Sequence, residues 1–249
     1  RNSNTSQAEV MFSLDEKPQE NTGRVIGAAL CYTGNYKLKI DTDDSDYHQF
    51  YAGINEENSS YMLSKKEVFR TPAVALTYSD KGLSGASRNF HKWGRTYKLA
   101  HGNVVRDILL NSWEGVYFDI NQKGMDQMMS DIASMGGELF VMDDGWFGDK
   151  YPRKNDSSSL GDWVTDKNKL PEGIEGLIRD AKKHGIKFGI WIEPEMANTI
   201  SELYEKHPEW ILKAPQRDPV LGRGGTQVVL DLANPEVQDF VFKVVDDLM

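Results

Sequence analysis

The chain has 249 residues, of which 39% are hydrophobic and 27% are charged, and its formal net charge is −9. This composition indicates a folded globular protein with a sizeable core and disfavours a disordered chain. The acidic balance disfavours nucleic acid as a partner, and with no run of 18 apolar residues the sequence predicts no membrane contact.

The first 80 residues are predicted to form part of an antiparallel β-sandwich. Short runs rich in Val, Ile, Leu, Tyr and Phe alternate with turn residues, and they span residues 24–32, 36–40, 47–54 and 72–78. The single cysteine, Cys31, lies in the first of these runs and is predicted to be a small core residue.

Residues 81–106 are predicted to be a connecting helix and linker. Leu83, Ala86, Phe90 and Tyr97 fall on one helical face, and the helix is predicted to end near His101 and Gly102.

From residue 107 onward the pattern alternates between strands and helices. Apolar strands are predicted at residues 108–113, 139–142 and 186–192, with a shorter one at residues 227–232. The intervening helices are predicted from their apolar spacing and from end signals: Gly136 and Gly137, Pro171 and Gly185, a cap at Asn198 or Thr199, and a cap at Asn234.

Buried strands that alternate with helices predict a parallel sheet with right-handed crossovers, either doubly wound or closed into a barrel. No glycine-rich phosphate-binding motif follows the strands, which favours the barrel. Because a full (β/α)₈ barrel takes about 250 residues, residues 107–249 are predicted to be its first half. The predicted fold class is therefore α/β, a partial TIM barrel preceded by part of an antiparallel sandwich.

Acidic and tryptophan side chains recur where the predicted parallel strands end. Ligands bind at this edge of barrels and open α/β sheets. Sugar rings stack on aromatic planes and their hydroxyls bind carboxylates, so the pattern predicts a carbohydrate site. The residues concerned are Trp113 and Glu114, Asp143, Asp144 and Trp146, Trp191, Glu193 and Glu195, with Asp162 and Trp163 in the loop between.

Simpler structural roles compete with this interpretation. An acidic turn after a strand can merely cap a helix, and Glu193 and Glu195 are predicted to make structural hydrogen bonds or loop ion pairs. Asp231 and Asn234 are predicted to end a strand and cap a helix. The histidines are too scattered to predict a zinc site.

Several ordered motifs make the chain similar to the α-galactosidases of glycoside hydrolase family 36, in clan D. The resemblance runs from about residue 24 to the end of the chain. It is carried by Leu110-Asn111-Ser112-Trp113-Glu114, Phe140-Val141-Met142-Asp143-Asp144-Gly145-Trp146-Phe147-Gly148, Leu160-Gly161-Asp162-Trp163, Gly189-Ile190-Trp191-Ile192-Glu193-Pro194-Glu195-Met196, His207-Pro208-Glu209-Trp210 and Gln227-Val228-Val229-Leu230-Asp231-Leu232.

The resemblance implies retaining hydrolysis of terminal α-galactosyl residues from melibiose- and raffinose-type oligosaccharides, with no metal and no cofactor. It implies that Asp143 and Asp144 bind galactose hydroxyls, that Trp113 and Trp191 form aromatic walls, and that Arg223 also binds substrate. Gly224-Gly225-Thr226 departs from the family pattern, so the Arg223 assignment rests on a longer loop.

The family's nucleophile and acid/base aspartates match no position in this sequence. Because the chain begins with Arg1 and a helical pattern continues to Met249 without a cap, we expect truncation at both ends. We expect the parent sequence to continue into a strand ending in Lys-x-Asp, with that Asp as the nucleophile. The chain itself is expected to be inactive, and the full-length protein to be a homo-oligomer. The cytoplasm is favoured as its compartment.

Three alternatives stay open at this stage. One is a raffinose- or stachyose-synthase-like α-galactosyl transferase, and the second is a noncatalytic carbohydrate-binding protein. The third is a Mg²⁺-dependent phosphoryl-transfer or hydrolase site built on Asp143, Asp144 and Glu193, although the glycine turns expected of a phosphate site are absent.

Overall fold

The computed structural model describes residues 7–15, 17, 19–57 and 59–249. Residues 1–6, 16, 18 and 58 of the predicted sandwich portion lie outside this range. The chain divides into two compact units, residues 1–105 and residues 106–249. Within the described part of the chain, none of the helices is both long and apolar enough to cross a membrane.

The first unit is built from two small antiparallel sheets and one helix. Strands β1 (Glu9–Ser13), β2 (Val25–Cys31) and β5 (Ala73–Ser79) pair in the order β1-β2-β5. Strands β3 (Tyr36–Thr42) and β4 (His48–Ile54) form a hairpin. The four predicted strands are therefore present, and β1 is an additional one.

Helix α1 (Gly82–Tyr97) packs against the β1-β2-β5 sheet, where Phe90 of the helix lies close to Gly27 of β2. A Cβ atom at Gly27 would lie 2.7 Å from Cε2 of Phe90, so only glycine permits the approach. The prediction that Cys31 is a core residue is wrong, because the side chain is exposed at the end of β2. Residues 27–30 of β2 are buried on both faces of the strand, and Cys31 is the last residue, just beyond this buried stretch.

The second unit is organised around a parallel sheet. Strands β6 (Leu109–Asn111), β7 (Leu139–Met142) and β8 (Lys187–Ile190) pair in chain order. Phe140 and Met142 of β7 are fully buried on one face, and Leu139 and Val141 on the other face are half-buried, so the strand is apolar throughout. Helices connect the strands, as the alternation predicted. They are α2 (Trp113–Val116), α3 (Gln122–Ser134), α4 (Gly173–His184), α5 (Glu202–Lys206) and α6 (Pro235–Leu248).

Helix ends agree with their sequence signals in two places and differ in a third. Helix α4 ends at Gly185, which adopts a left-handed conformation with φ 73°, and α6 is capped by the side chain of Asn234. Helix α5 is capped by Ser201, whose Oγ accepts from the N–H of Tyr204 at 3.0 Å. The prediction of Asn198 or Thr199 as its cap is wrong.

The last predicted strand does not extend the parallel sheet. Strand β10 (Gln227–Val229) pairs with β9 (Met196–Asn198) in a separate antiparallel sheet. Strand β9 has only three residues, which is too short to show a periodic pattern in the sequence. The two strands bring the segment after β8 and the segment that contains Arg223 to the same side of the unit.

Candidate functional site

A cavity of about 420 Å³ lies where the parallel strands end. Its lining contains all five residues that the resemblance assigns to sugar binding, together with Ile192 and two glutamates. The five are Trp113, Asp143, Asp144, Trp191 and Arg223. The volume falls within the range of about 300–1,000 Å³ that is usual for small-molecule sites.

Asp143 is held by the end of the neighbouring strand β6 and by the backbone that follows it. Its Oδ2 accepts from Nδ2 of Asn111 at 2.6 Å, and its Oδ1 accepts from the N–H of Asp144 at 2.7 Å. The N–H of Asp143 donates to Oγ of Ser112 at 3.0 Å. Each carboxylate oxygen keeps further acceptor capacity, so the group is oriented and can still accept from a ligand.

Asp144 makes a buried ion pair with Arg153. Nε of Arg153 donates to Oδ1 at 2.9 Å, and Nη2 donates to Oδ2 at 2.7 Å. The side chains of Arg153 and Asp144 are 0% and 4% exposed. This two-point geometry fixes the plane of the carboxylate as well as its position.

Arg223 reaches the cavity from the segment before β10. Its Nη1 lies 3.4 Å from Oδ1 of Asp156, and the same oxygen lies 3.5 Å from Nη2 of Arg153. Asp156 therefore connects an exposed arginine to the buried ion pair. Arg223 is the cation among the residues that line the cavity.

The two tryptophans that line the cavity, Trp113 and Trp191, pack against other aromatic rings. Trp113 makes edge contacts with Tyr117 and Phe118, with ring centroids 5.2 and 5.0 Å apart. Trp191 lies 6.2 Å from Trp163, and its carbonyl accepts from Nε1 of the buried Trp146 at 3.0 Å. Both indoles are therefore held by contacts with other aromatic rings.

Glu193 differs from its predicted structural role. It lines the cavity, and its Oε2 is buried with no hydrogen-bond partner among the described residues. Burial raises the pKa of this carboxyl above its ordinary value, the charge of Glu195 adds to the rise, and Arg223 opposes it. The interpretation as a structural hydrogen-bonding residue is therefore wrong for Glu193.

Lys169 connects three backbone segments near Asp144 through hydrogen bonds. Its Nζ donates to the carbonyls of Phe118, Gly145 and Arg153 at 2.9, 2.6 and 2.8 Å. Burial lowers the pKa of Lys169, while the nearby aspartates act in the opposite direction. The Lys169 ammonium therefore binds both the carbonyl of Gly145, which follows Asp144, and the carbonyl of Arg153.

Arg153, Asp156, Asn198 and Lys169 are the supporting residues that the sequence interpretation did not identify. Arg153, Asp156 and Lys169 lie in a long polar loop without apolar periodicity, and Asn198 is the last residue of β9. The one available signal was an excess of charged side chains in that loop, close to the paired acids. Among the described residues, no group of three or more His, Cys, Asp and Glu side chains is arranged to hold a metal ion.

Taken together, the cavity offers acceptors, a donor and flat apolar surfaces. Asp143, Asp144 and Glu193 can accept from hydroxyl groups, and Arg223 can donate to them. The indole planes of Trp113 and Trp191 can cover the apolar face of a ring.

Comparison with known proteins places these motifs in context. The Melibiase family model matches residues 68–249, and the model of the glycosyl hydrolase family 36 N-terminal domain matches residues 1–64. α-Galactosidase AgaA of Geobacillus stearothermophilus is 40% identical over 233 residues, which cover 92% of this chain and 31% of that protein.

Solved structures of family 36 α-galactosidases are also similar to this chain. The family 36 α-galactosidase AgaB of Geobacillus stearothermophilus superposes with a TM-score of 0.89 at 37% identity, covering 97% of this chain and 33% of that one. A variant of AgaA in complex with raffinose gives a TM-score of 0.90 at 37% identity, with the same coverage of 97% and 33%. The chain therefore spans about a third of the length of the relatives it matches.

Proposed function

The chain belongs to the melibiase family of glycoside hydrolases, family 36, and we propose that it supplies the galactose-binding part of an α-galactosidase site. The observation that carries this proposal is the cavity that Trp113, Asp143, Asp144, Trp191 and Arg223 line together. Five residues that the motifs assign to one sugar converge there from separate segments of the chain.

Chemistry supports the assignment to an α-galactoside. A hexose needs several hydroxyl acceptors at fixed positions and a flat apolar surface, and the oriented carboxylates and the two indoles offer both. The relative that was solved with raffinose, an α-galactoside, aligns with 97% of this chain. The proposed ligands are therefore terminal α-galactosyl residues of melibiose- and raffinose-type oligosaccharides.

The whole activity that we propose is retaining hydrolysis of these ligands. A retaining site needs a nucleophile and an acid/base about 5 Å apart. Asp143 and Asp144 are instead engaged by Asn111 and Arg153, which suits binding rather than proton transfer. We therefore assign binding, and no catalytic step, to the residues of this chain.

The proposal is tested by calorimetric titration of the chain with methyl α-D-galactoside and with its C4 epimer, methyl α-D-glucoside. We expect the galactoside to bind more tightly, in the presence of either Mg²⁺ or EDTA. Asp143→Asn should weaken binding about tenfold or more, because a hydrogen bond to a charged acceptor contributes about 1.5–3 kcal/mol.

The matched control is Asp131→Asn, which changes an exposed aspartate of α3 whose Oδ1 accepts from Nε2 of Gln127. It should leave the affinity unchanged. Equal affinity for the two epimers, or no binding by a chain that unfolds cooperatively on heating, would overturn the proposal. Binding that requires Mg²⁺ would favour the metal-dependent alternative instead.

A further inference from the structure

The guanidinium of Arg153 has every donor engaged although its side chain is completely buried. Besides the two bonds to Asp144, Nη1 donates to the carbonyl of Ser158 at 2.8 Å and to Oδ1 of Asn198 at 2.9 Å. Nη2 also lies 3.5 Å from Oδ1 of Asp156. An arginine in such a network has one orientation available to it.

The surroundings of Arg153 fix it further. The rings of Phe118 and Phe147 lie 5.4 and 5.6 Å from its guanidinium carbon, and its own carbonyl accepts from Lys169. Arg153 does not line the cavity, whereas Asp144 does. The direct route from Arg153 to a ligand therefore runs through Asp144, whereas the route through Asp156 to Arg223 rests on two longer contacts of 3.5 and 3.4 Å.

Stability alone gives a weak reason for this arrangement. Removing two charges from water costs several kcal/mol per ion, and apolar replacements of buried ion pairs are often neutral or stabilising. The benefit that a fixed ion pair provides is orientation. Each oxygen of Asp144 uses one acceptor site for Arg153, and the carboxylate has capacity left to accept from the cavity.

We propose that Arg153 is a positioning residue, which orients Asp144 so that this carboxylate accepts from one particular hydroxyl of a bound galactoside. The inference rests on the proposed function and deepens it. It assigns part of the sugar specificity to a side chain that does not touch the sugar.

The test is a cycle between protein variants and deoxygenated ligands. Methyl α-D-galactosides that lack one hydroxyl at C2, C3, C4 or C6 are titrated against the unsubstituted chain and Asp144→Asn. The hydroxyl whose removal no longer matters in Asp144→Asn is the one that Asp144 binds. Arg153→Lys, which keeps the charge but loses the two-point geometry, is then titrated with the same series.

We expect Arg153→Lys to weaken binding of the parent galactoside about tenfold and binding of that one deoxy analogue less than about twofold. A merely structural role would weaken the parent and all analogues alike, and that result would overturn the inference. The control is Arg179→Lys, since Arg179 pairs with Glu172 at 2.7 Å on the exposed surface of the same unit. This variant should bind the whole series as the unsubstituted chain does.

A second variant covers the case in which Arg153→Lys does not fold. Arg153→Gln keeps Asp144 and one amide donor but loses the two-point contact. It should lower the ratio of the parent's affinity to that of the one deoxy analogue, as Arg153→Lys does, and a ratio unchanged from the unsubstituted chain would overturn the inference. If the unsubstituted chain does not bind the parent galactoside, the proposed function fails together with the inference. If it binds and only the expected effect of the Arg153 variants is missing, the inference alone fails.

Discussion

Asn111 and Asp143 join the ends of two adjacent parallel strands through a side-chain hydrogen bond of 2.6 Å between Nδ2 and Oδ2. The Oδ1 of Asn111 accepts from the N–H of Trp113 at 2.7 Å. The side-chain amide of Asn111 therefore positions both the Asp143 carboxylate and the backbone of Trp113. A short polar side chain suits this place, because it spans one strand spacing of about 4.8 Å.

Asn111→Ala should weaken binding of methyl α-D-galactoside about threefold to tenfold, because a net hydrogen bond contributes about 0.5–1.5 kcal/mol. Calorimetric titration measures the effect. The control is Asn121→Ala, which removes the cap of α3 and its bond to the N–H of Gly124. It should lower the free energy of unfolding by about 1 kcal/mol and leave the affinity unchanged. The reverse pattern would contradict the role given to Asn111.

Trp191→Ala should reduce the affinity for galactosides, because the apolar face of the sugar ring loses the indole plane on which it stacks. Stacking on an indole contributes about 0.5–1.5 kcal/mol beyond the buried area, so a loss of tenfold or more is expected. Titration with methyl α-D-galactoside gives the measurement. Trp93→Ala is the control, because Trp93 lies on α1 in the other unit with Lys98 over its ring. Unchanged affinity in Trp191→Ala would place this indole outside the site.

Much of the fold followed from local signals. The apolar run of β7, the left-handed glycine after α4 and the Asn-Pro cap of α6 each have a physical cause that acts within a few residues. The predicted fold class, half of a barrel preceded by a sandwich portion, is confirmed by superposition on the family 36 structures. Local periodicity predicts such a topology because alternating strands and helices have few ways to pack.

The supporting residues of the site could not be predicted in this way. Asn198 appeared free to cap α5, but its Oδ1 accepts from Arg153 and from the N–H of Leu160, so Ser201 caps the helix instead. Arg153 and Asn198 are 45 positions apart in the sequence. Contacts of this kind depend on the path of an aperiodic loop, which hydrophobic patterning does not specify.

The chain should not hydrolyse p-nitrophenyl α-D-galactoside above the buffer blank. Retaining catalysis needs a free nucleophile and a proton donor, whereas Asp144 is paired with Arg153 and Asp143 accepts from Asn111. Release of nitrophenolate is followed by absorbance. Turnover that survives purification and disappears in Asp143→Ala would show that binding is the wrong role for Asp143. Loss of such turnover in Glu193→Gln would make Glu193 a catalytic residue.

Glu193 should make the stability of the chain depend on pH. Burial raises the pKa of its carboxyl from the ordinary value of 4.5, so the folded state holds the proton more tightly than the unfolded state. The favourable contribution is then fully present below pH 4.5 and is lost as the pH rises through the raised folded pKa. Gln resembles the protonated form at every pH, so Glu193→Gln should gain stability over the unsubstituted chain across this window.

Urea unfolding followed by tryptophan fluorescence at a series of pH values measures the difference in the free energy of unfolding. Glu205→Gln supplies a control of opposite sign, because hydrogen bonds from Lys150 and Tyr151 lower the pKa of Glu205. The stability that Glu205 contributes is present above pH 4.5 and is lost as the pH falls through its lowered folded pKa, so this variant should lose stability relative to the unsubstituted chain as the pH rises. A flat difference for Glu193→Gln between acidic and neutral pH would contradict the burial of its Oε2 without a partner among the described residues.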